Sequence, residues 1–306
     1  MTSLSPIPEK VIELLEQNLI CPENGGLQSV YKSIAAYSLN PSHSKIGTGD
    51  KQSLKHEFAG LLDKLTFVTT MAIDLPVLLH SPKPGAETIM ICAMDPLPPH
   101  PDNAFWQNRN VDLRSEIGFW APFSLINDWN KPSGSMASNI QFFSVLLEDF
   151  NLYVTDIYKL FFRQKSASGY IHSNTIDEFT GLLTENNENI HAYILAGEID
   201  IIKPKAIITL GNAARNGLLS VNEQLNKQKS SPRNWSDELQ VYAWKDIPVI
   251  ASPHISGAAN GAKSKIINNN KYDYIHAGYQ NAKLAFIIIE LLNQIFPCKT
   301  EFKPNL

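Results

Sequence analysis

The sequence predicts an α/β protein, because four short apolar runs of strand length alternate with longer segments in which apolar residues recur at helical spacing. The runs lie at 88–92, 152–155, 206–210 and 249–252, and helical periodicity fills 140–149, 191–202 and, more weakly, 212–228 between them. Runs that are apolar throughout belong to strands buried on both faces, and strands that alternate with helices form a parallel sheet with helices on either side. The expected fold is a three-layer α/β/α sandwich with a short central parallel sheet, preceded by a helical extension over residues 1–80.

That extension is read from three apolar series: Val11, Leu14, Leu15 and Leu19; Val30, Ile34 and Ala35; and Phe58, Leu61, Leu62 and Leu65. Each recurs every three or four residues, the spacing of one helix face. The Ser, Gly and Pro of 40–50 connect helices in this reading. A turn cluster at 81–85, Ser-Pro-Lys-Pro-Gly, opens the first strand and sets the expected boundary between the extension and an α/β/α domain over 81–306. The last periodic segment, 274–296, is a helix that stops at Pro297, where the ring would clash with the preceding turn. No internal repeat is present.

With 306 residues, 43% of them hydrophobic and 18% charged, the chain can bury a full core, and disorder is excluded as its default state. Lys and Arg total 26 against 30 Asp and Glu, a net charge of -4, so no global positive field draws it onto nucleic acid. Any anionic partner needs a local patch. Cys21, Cys92 and Cys298 are an odd, widely spaced set without a Cys-x-x-Cys pair, which supports neither a disulfide framework nor a cysteine metal site. The first ten residues lack the apolar run of a signal peptide, and the apolar stretch at 284–292 is too short to span a membrane. A cytoplasmic protein is expected, and the Asn234-Trp235-Ser236 triplet reads as an exposed loop.

Ligands of an open parallel sheet bind beyond the carboxyl ends of the strands, where loops and helix N-termini converge. Met94, Asp95, Pro96 and Leu97 follow the first strand run, Asp156 the second, Gly211 the third, and Pro253, His254 and Ile255 the fourth. An aspartate before a proline builds turns, and a lone histidine is most often a structural hydrogen-bonding group. Together on one edge they offer more. A carboxylate can orient or deprotonate water, and an imidazole can donate to a developing anion.

These residues carry a resemblance. Met94-Asp95-Pro96, the aromatic segment from Gly118 to Ser124, the strand ending in Asp156, the Lys203 to Gly211 segment and Pro253-His254-Ile255-Ser256-Gly257 follow the order and spacing of the uracil-DNA glycosylase superfamily over about residues 84–296. The resemblance implies a hydrolase that breaks the N-glycosidic bond of uracil or another damaged base in DNA. It implies that Asp95 positions the attacking water and stabilises the cationic sugar, that His254 hydrogen-bonds the departing base, and that Phe123 stacks on the extruded base. Met94, Leu97 and Asp156 complete the base pocket in this correspondence. Ser256, Lys263, Lys265 and Ile266 then belong to the DNA-contacting loop. The chemistry needs water and protein groups alone, so no metal or cofactor is expected.

The departures from the family pattern bear on specificity. Leu97 replaces a tyrosine that blocks the thymine methyl, and Asp156 replaces an asparagine that reads uracil. An ionised carboxylate would repel O4 of uracil, whereas a protonated one could donate to a ring nitrogen and accept from an amine, as cytosine-like and adenine-like bases require. Ile255 and Gly257 replace two prolines. Between His254 and Lys283 four lysines face one aspartate, a net of +3, so Lys263 and Lys265 are expected phosphate contacts, with Ile266 or Ile267 as an apolar wedge. A solvated surface is the plainer reading of those lysines.

Other readings compete. Gly257 to Ser264 nearly spells a phosphate-binding loop, but Ala262 stands where the final glycine is required. His56-Glu57 lacks a second histidine four residues on, and no nucleophile elbow is present. The alternative to an enzyme is the same fold kept as a non-catalytic module binding a nucleobase, nucleotide or single strand, which the acidic charge and the altered pocket residues favour.

Overall fold

The computed structural model describes residues 4–5, 7–19, 26–28, 31–32, 48–50, 68–94, 116–120, 122–124, 135–166, 169–172, 189–221, 239–269 and 280–296. In chain order its strands are β1 (Leu4–Ser5), β2 (Thr48–Asp50), β3 (Val68–Asp74), β4 (Val77–Leu79), β5 (Thr88–Ala93), β6 (Glu116–Trp120), β7 (Asn151–Asp156), β8 (Leu160–Ser166), β9 (Gly169–His172), β10 (Ile207–Leu210), β11 (Gln240–Trp244) and β12 (Ile247–Ser252). The helices are α1 (Glu9–Asn18), α2 (Ser135–Leu147), α3 (Ile190–Ile202), α4 (Gly211–Val221), α5 (Asn260–Asn269) and α6 (Gln280–Ile295). The fold is α/β.

The main sheet runs β1-β4-β7-β5-β10-β12-β11. Its four central strands, β7, β5, β10 and β12, pair in parallel and are the four apolar runs of the sequence. From their second residues onward β5 and β7 are buried, and all of β10 is, which is why no polar alternation marks them. Antiparallel β4 and β1 extend one edge and antiparallel β11 the other. β11 follows the exposed-edge pattern, with Val241 45% exposed.

The helices form two packed groups. α1 lies on α3, α3 touches α4, and α4 covers β5, β10 and β12. α2 packs on β7 and α6, and α6 on α5. α1 buries Val11, Ile12 and Leu15, and where it meets α3 Leu14 packs over Gly197, an added Cβ there lying 2.7 Å from Leu14 Cδ2. α3 starts on Asn189, whose Oδ1 accepts from the backbone N–H groups of His191 and Ala192 at 3.1 Å each.

A second sheet, β2-β6-β3-β8-β9, has no counterpart in the sequence reading. It corrects the expectation of a helical extension over 1–80. α1 is helical as expected, but β3 belongs to the second sheet, and β1 and β4 are the outer strands of the main one. Because β4 pairs with β7 from Val77↔Val154 to Leu79↔Leu152, the sheet continues across the expected boundary at 80/81. The series at 58–65 lies outside the described residues.

The two sheets and α3 meet at a buried ion network. Lys159 Nζ, just beyond β7, lies 2.8 Å from Asp74 Oδ2 at the end of β3 and 2.7 Å from Glu198 Oε2 on α3, all three side chains being fully buried. Thr155 Oγ1 donates to Asp74 Oδ2 at 2.6 Å, the ammonium donates to Thr155, and the Asp156 backbone N–H donates to Asp74 Oδ2 at 3.0 Å. The Asp74 N–H donates to the Lys159 carbonyl, and the Lys159 N–H donates to His191 Nδ1. One ammonium faces two carboxylates. Burial pushes the Glu198 carboxyl up to about 7 against the pull of Lys159, so near neutrality this acid holds a proton for part of the time.

Lys159→Met leaves those carboxylates buried against an apolar chain and is expected to destabilise the fold by about 3–5 kcal/mol in urea melts. Glu198→Gln preserves the shape of the neutral acid and is expected to cost under about 1.5 kcal/mol. The Glu198 carboxyl binds its proton more tightly folded than unfolded, so its contribution is full below its ordinary value of 4.5 and is lost as pH rises through about 7. The wild type should therefore lose stability relative to Glu198→Gln between pH 5 and 7.5; parallel pH profiles for the two proteins would contradict this assignment.

Candidate functional site

In the main sheet the first parallel strand, β5, has the second, β7, on one side and the third, β10, on the other. The chain passes from β5 to β7 on one side and from β10 to β12 on the other, and sheets with such a reversal have their ligand crevice at the carboxyl ends of the two strands, here β5 and β10. Met94 follows β5 and Gly211 follows β10 at that crevice. The half-buried Met94 accepts from the Tyr158 N–H at 3.0 Å, and Ala93 accepts from the Ile157 N–H at 3.0 Å, so the turns after β5 and β7 are laced together. Asp95 and Leu97 lie outside the described residues.

His254 comes into this crevice from the end of β12. Its ring rests on Gly211, whose φ of +91° is left-handed and whose missing side chain makes the room; an added Cβ would stand 3.3 Å from His254 Cβ and 3.5 Å from Cδ2. On another side is Phe123, its ring centroid 5.5 Å from that of the imidazole at an interplanar angle of 43°. Phe123 sits in a 3₁₀ turn, Pro122–Ser124, with φ 55° and ψ 25°, a conformation that costs a non-glycine residue about 1 kcal/mol or more. Phe143 of α2 also packs against the Phe123 ring, with the centroids 5.6 Å apart. The structure thus brings Phe123 and His254 together, 131 positions apart in the chain, with Gly211 beneath.

The protonation of His254 follows from its partners. The Ser256 backbone N–H, which can only donate, points at His254 Nδ1 over 3.0 Å, and Ser256 Oγ lies 2.8 Å from the same nitrogen. Nδ1 is therefore an acceptor, and a neutral ring carries its proton on Nε2. Burial, and after it the charge of Lys263, lower the proton affinity of the imidazole below its ordinary value. A neutral ring with an Nε2–H donor is the resting state at pH 7.

Asp156 ends β7, opposite Ala93 of β5, with its side chain fully buried. Its backbone is fixed by Asp74 of the ion network. The sequence pointed to Asp156 through its place at a strand end, but not to Asp74, which stands 82 residues away.

The expected DNA-contacting loop is corrected at two positions. Lys263 is 2% exposed, and its ammonium donates to the carbonyls of Ile255 at 3.0 Å and Ser256 at 3.1 Å and to Asn281 Oδ1 at 2.7 Å. It grips the His254 loop from behind and is not placed to meet phosphate. Ile266 is fully buried and Ile267 is 3% exposed, so both belong to the core and neither is a wedge. Lys265 is exposed, and Ser256 is turned toward His254. The buried Lys263 also removes the phosphate-loop reading of 257–264, where a 3₁₀ turn, Gly257–Ala259, runs straight into α5. The sequence does contain the warning: 263, 266 and 267 stand at i, i+3 and i+4, one face of a helix.

Asn281, like Asp74, is a residue to which the sequence does not point. Fully buried on α6, it accepts from Lys263, donates to the Ile255 carbonyl at 2.8 Å and approaches Asn139 Oδ1 of α2 at 3.4 Å. No protein-family model matches the chain, and no curated protein matches it. Among the described residues no helix is long and apolar enough to cross a membrane.

Gly211→Ala tests the seat of the imidazole. It adds a Cβ at a left-handed position against His254 and is expected to cost about 1–3 kcal/mol in thermal or urea unfolding. It should also displace the His254 ring resonances in NMR spectra; unchanged resonances would show that the ring does not rest on this glycine.

Proposed function

We propose that this chain is a base-releasing hydrolase of the uracil-DNA glycosylase type, acting on uracil or another damaged base in DNA. The observation that carries the reading is the pairing of the Phe123 ring with a neutral, Nε2-protonated His254 at the topological switch point of the sheet. If the crossovers follow the usual right-handed rule, the two helix groups fall on opposite faces of the main sheet, in keeping with the three-layer sandwich that the resemblance implies.

Breaking an N-glycosidic bond leaves positive charge on the sugar and negative charge on the base. His254 Nε2–H is suited to the departing anion, since a neutral donor in a partly dry crevice stabilises charge that develops only in the transition state. Phe123 supplies a face for a base taken out of its stack. Asp95, one residue beyond Met94 at the end of β5, would orient the water and offset the charge on the sugar. Asp156 would read the edge of the base; as a protonated acid it would favour an amidine-like edge, such as that of adenine-type or cytosine-type bases, over that of uracil.

The second reading is a non-catalytic nucleobase or nucleotide module on the same fold. It is favoured by the internal positions of Lys263 and Ile266, which remove two of the expected DNA contacts.

Oligonucleotides bearing uracil, hypoxanthine, alkylated adenine or alkylated cytosine, single-stranded and duplex, decide between the two when scored for abasic sites. The enzyme reading expects cleavage that falls about 10²–10³-fold in His254→Ala and by at least about 10²-fold in Asp95→Asn. Binding without abasic sites supports the module. Activity that persists at the wild-type level in both variants removes the mechanism, and cleavage confined to uracil removes the role given to Asp156.

A further inference from the structure

Lys263 is a cation whose three described acceptors are all uncharged: the carbonyls of Ile255 and Ser256 and the side-chain oxygen of Asn281. Three donors meet three acceptors, which satisfies the ammonium geometrically. The charge is a different matter, because taking an ammonium out of water without a counter-ion is unfavourable. A methionine would fill the same space without that penalty, so the positive charge itself calls for a use. The two carbonyls it grips belong to the residues that follow His254, and one of those residues, Ser256, supplies the N–H that fixes Nδ1.

We propose that Lys263 is a positioning residue for His254. It holds the loop from Pro253 to Ser256 so that Nδ1 is kept as acceptor, and it supplies a fixed positive field that keeps the ring neutral and favours an anion bound on its Nε2 side. Asn281 is the second half of the device, orienting the ammonium with Oδ1 and tethering the Ile255 carbonyl with Nδ2. The lowered proton affinity of His254, to which Lys263 contributes after burial, agrees with this. Other charges on the surrounding elements are few. α2 has none, α4 carries Arg215, α5 also carries Lys265, which is exposed, and α6 carries the half-buried Lys283 and Glu290. The value of this device to catalysis rests on the proposed role of His254, but its effect on the ring does not.

The test is an NMR titration of the His254 ring in the full chain without substrate, for the wild type, Lys263→Met, Lys263→Arg and Asn281→Asp. Lys263→Met should raise the proton affinity of His254, and Lys263→Arg, which keeps the charge, should leave it near the wild-type value. Asn281→Asp sets a carboxylate against the ammonium and should also raise it; this variant answers the question if Lys263→Met does not fold. An upward shift in Lys263→Met or Asn281→Asp, with Lys263→Arg near wild type, supports the proposal. An unmoved titration in the folded variants overturns it. A shifted titration in a protein that releases no base would leave this inference standing and count against the proposed activity alone.

Discussion

The fold is organised around one buried ammonium. Lys159 sits between Asp74 and Glu198, and through them it joins the last residue of β3, the turn after β7 and the middle of α3. A buried ion pair is seldom a large net source of stability, since desolvation consumes most of its Coulombic gain. What it does well is forbid alternatives, because any arrangement that separates the partners leaves an uncompensated charge in the interior. Here that constraint sets the second sheet against the first. β3 pairs in parallel with β6, Asp74 lying opposite Trp120, and two residues beyond Trp120 begins the 3₁₀ turn that carries Phe123. Asp74 also holds the backbone of Asp156. The segment that leads to the aromatic turn and the backbone at the end of β7 therefore answer to the same buried contact.

How far the sequence could be read follows from where each signal resides. The parallel strands were legible because burial on both faces writes a continuous apolar run into the chain. The second sheet was not: β3 reads Val-Thr-Thr-Met-Ala-Ile-Asp, with neither a continuous apolar run nor a strict alternation, and its neighbours β6 and β8 lie far along the chain. Pairing between distant segments leaves no local trace. The same holds for the ion network, whose members Asp74 and Lys159 are 85 residues apart and individually look like surface charges.

The strand-end rule placed Met94, Asp156 and His254 at or just beyond the carboxyl ends of their strands without any structure, since it depends on topology and topology was legible. It could not say that Gly211 would serve as the seat of the imidazole, because that depends on a side chain 43 positions later. The lysine count misled for a related reason. A net charge summed over a segment treats every charged residue as solvated, while the helical phase of 263, 266 and 267 places one of the four lysines on the core face.

That misplaced lysine changes what the crevice is built to do. A loop that reached for phosphate would keep Lys263 in water and mobile, to be ordered only on binding. In this chain the ammonium is already immobilised, with its hydrogen bonds spent on the backbone next to His254. The loop is thereby tied down in the ligand-free chain, and on the proposed mechanism the electrostatic contribution to the leaving anion would be set in advance, without reorganisation at the moment of reaction. A neutral imidazole suits such a site better than a charged one. With Nδ1 held by a backbone N–H, protonation would break that bond and add a second cation beside Lys263, so the ring stays a donor of a single, fixed direction. Under the proposed function, pairing a neutral donor in contact with a positive charge held behind it would favour a ligand that becomes negative over one that is negative from the start.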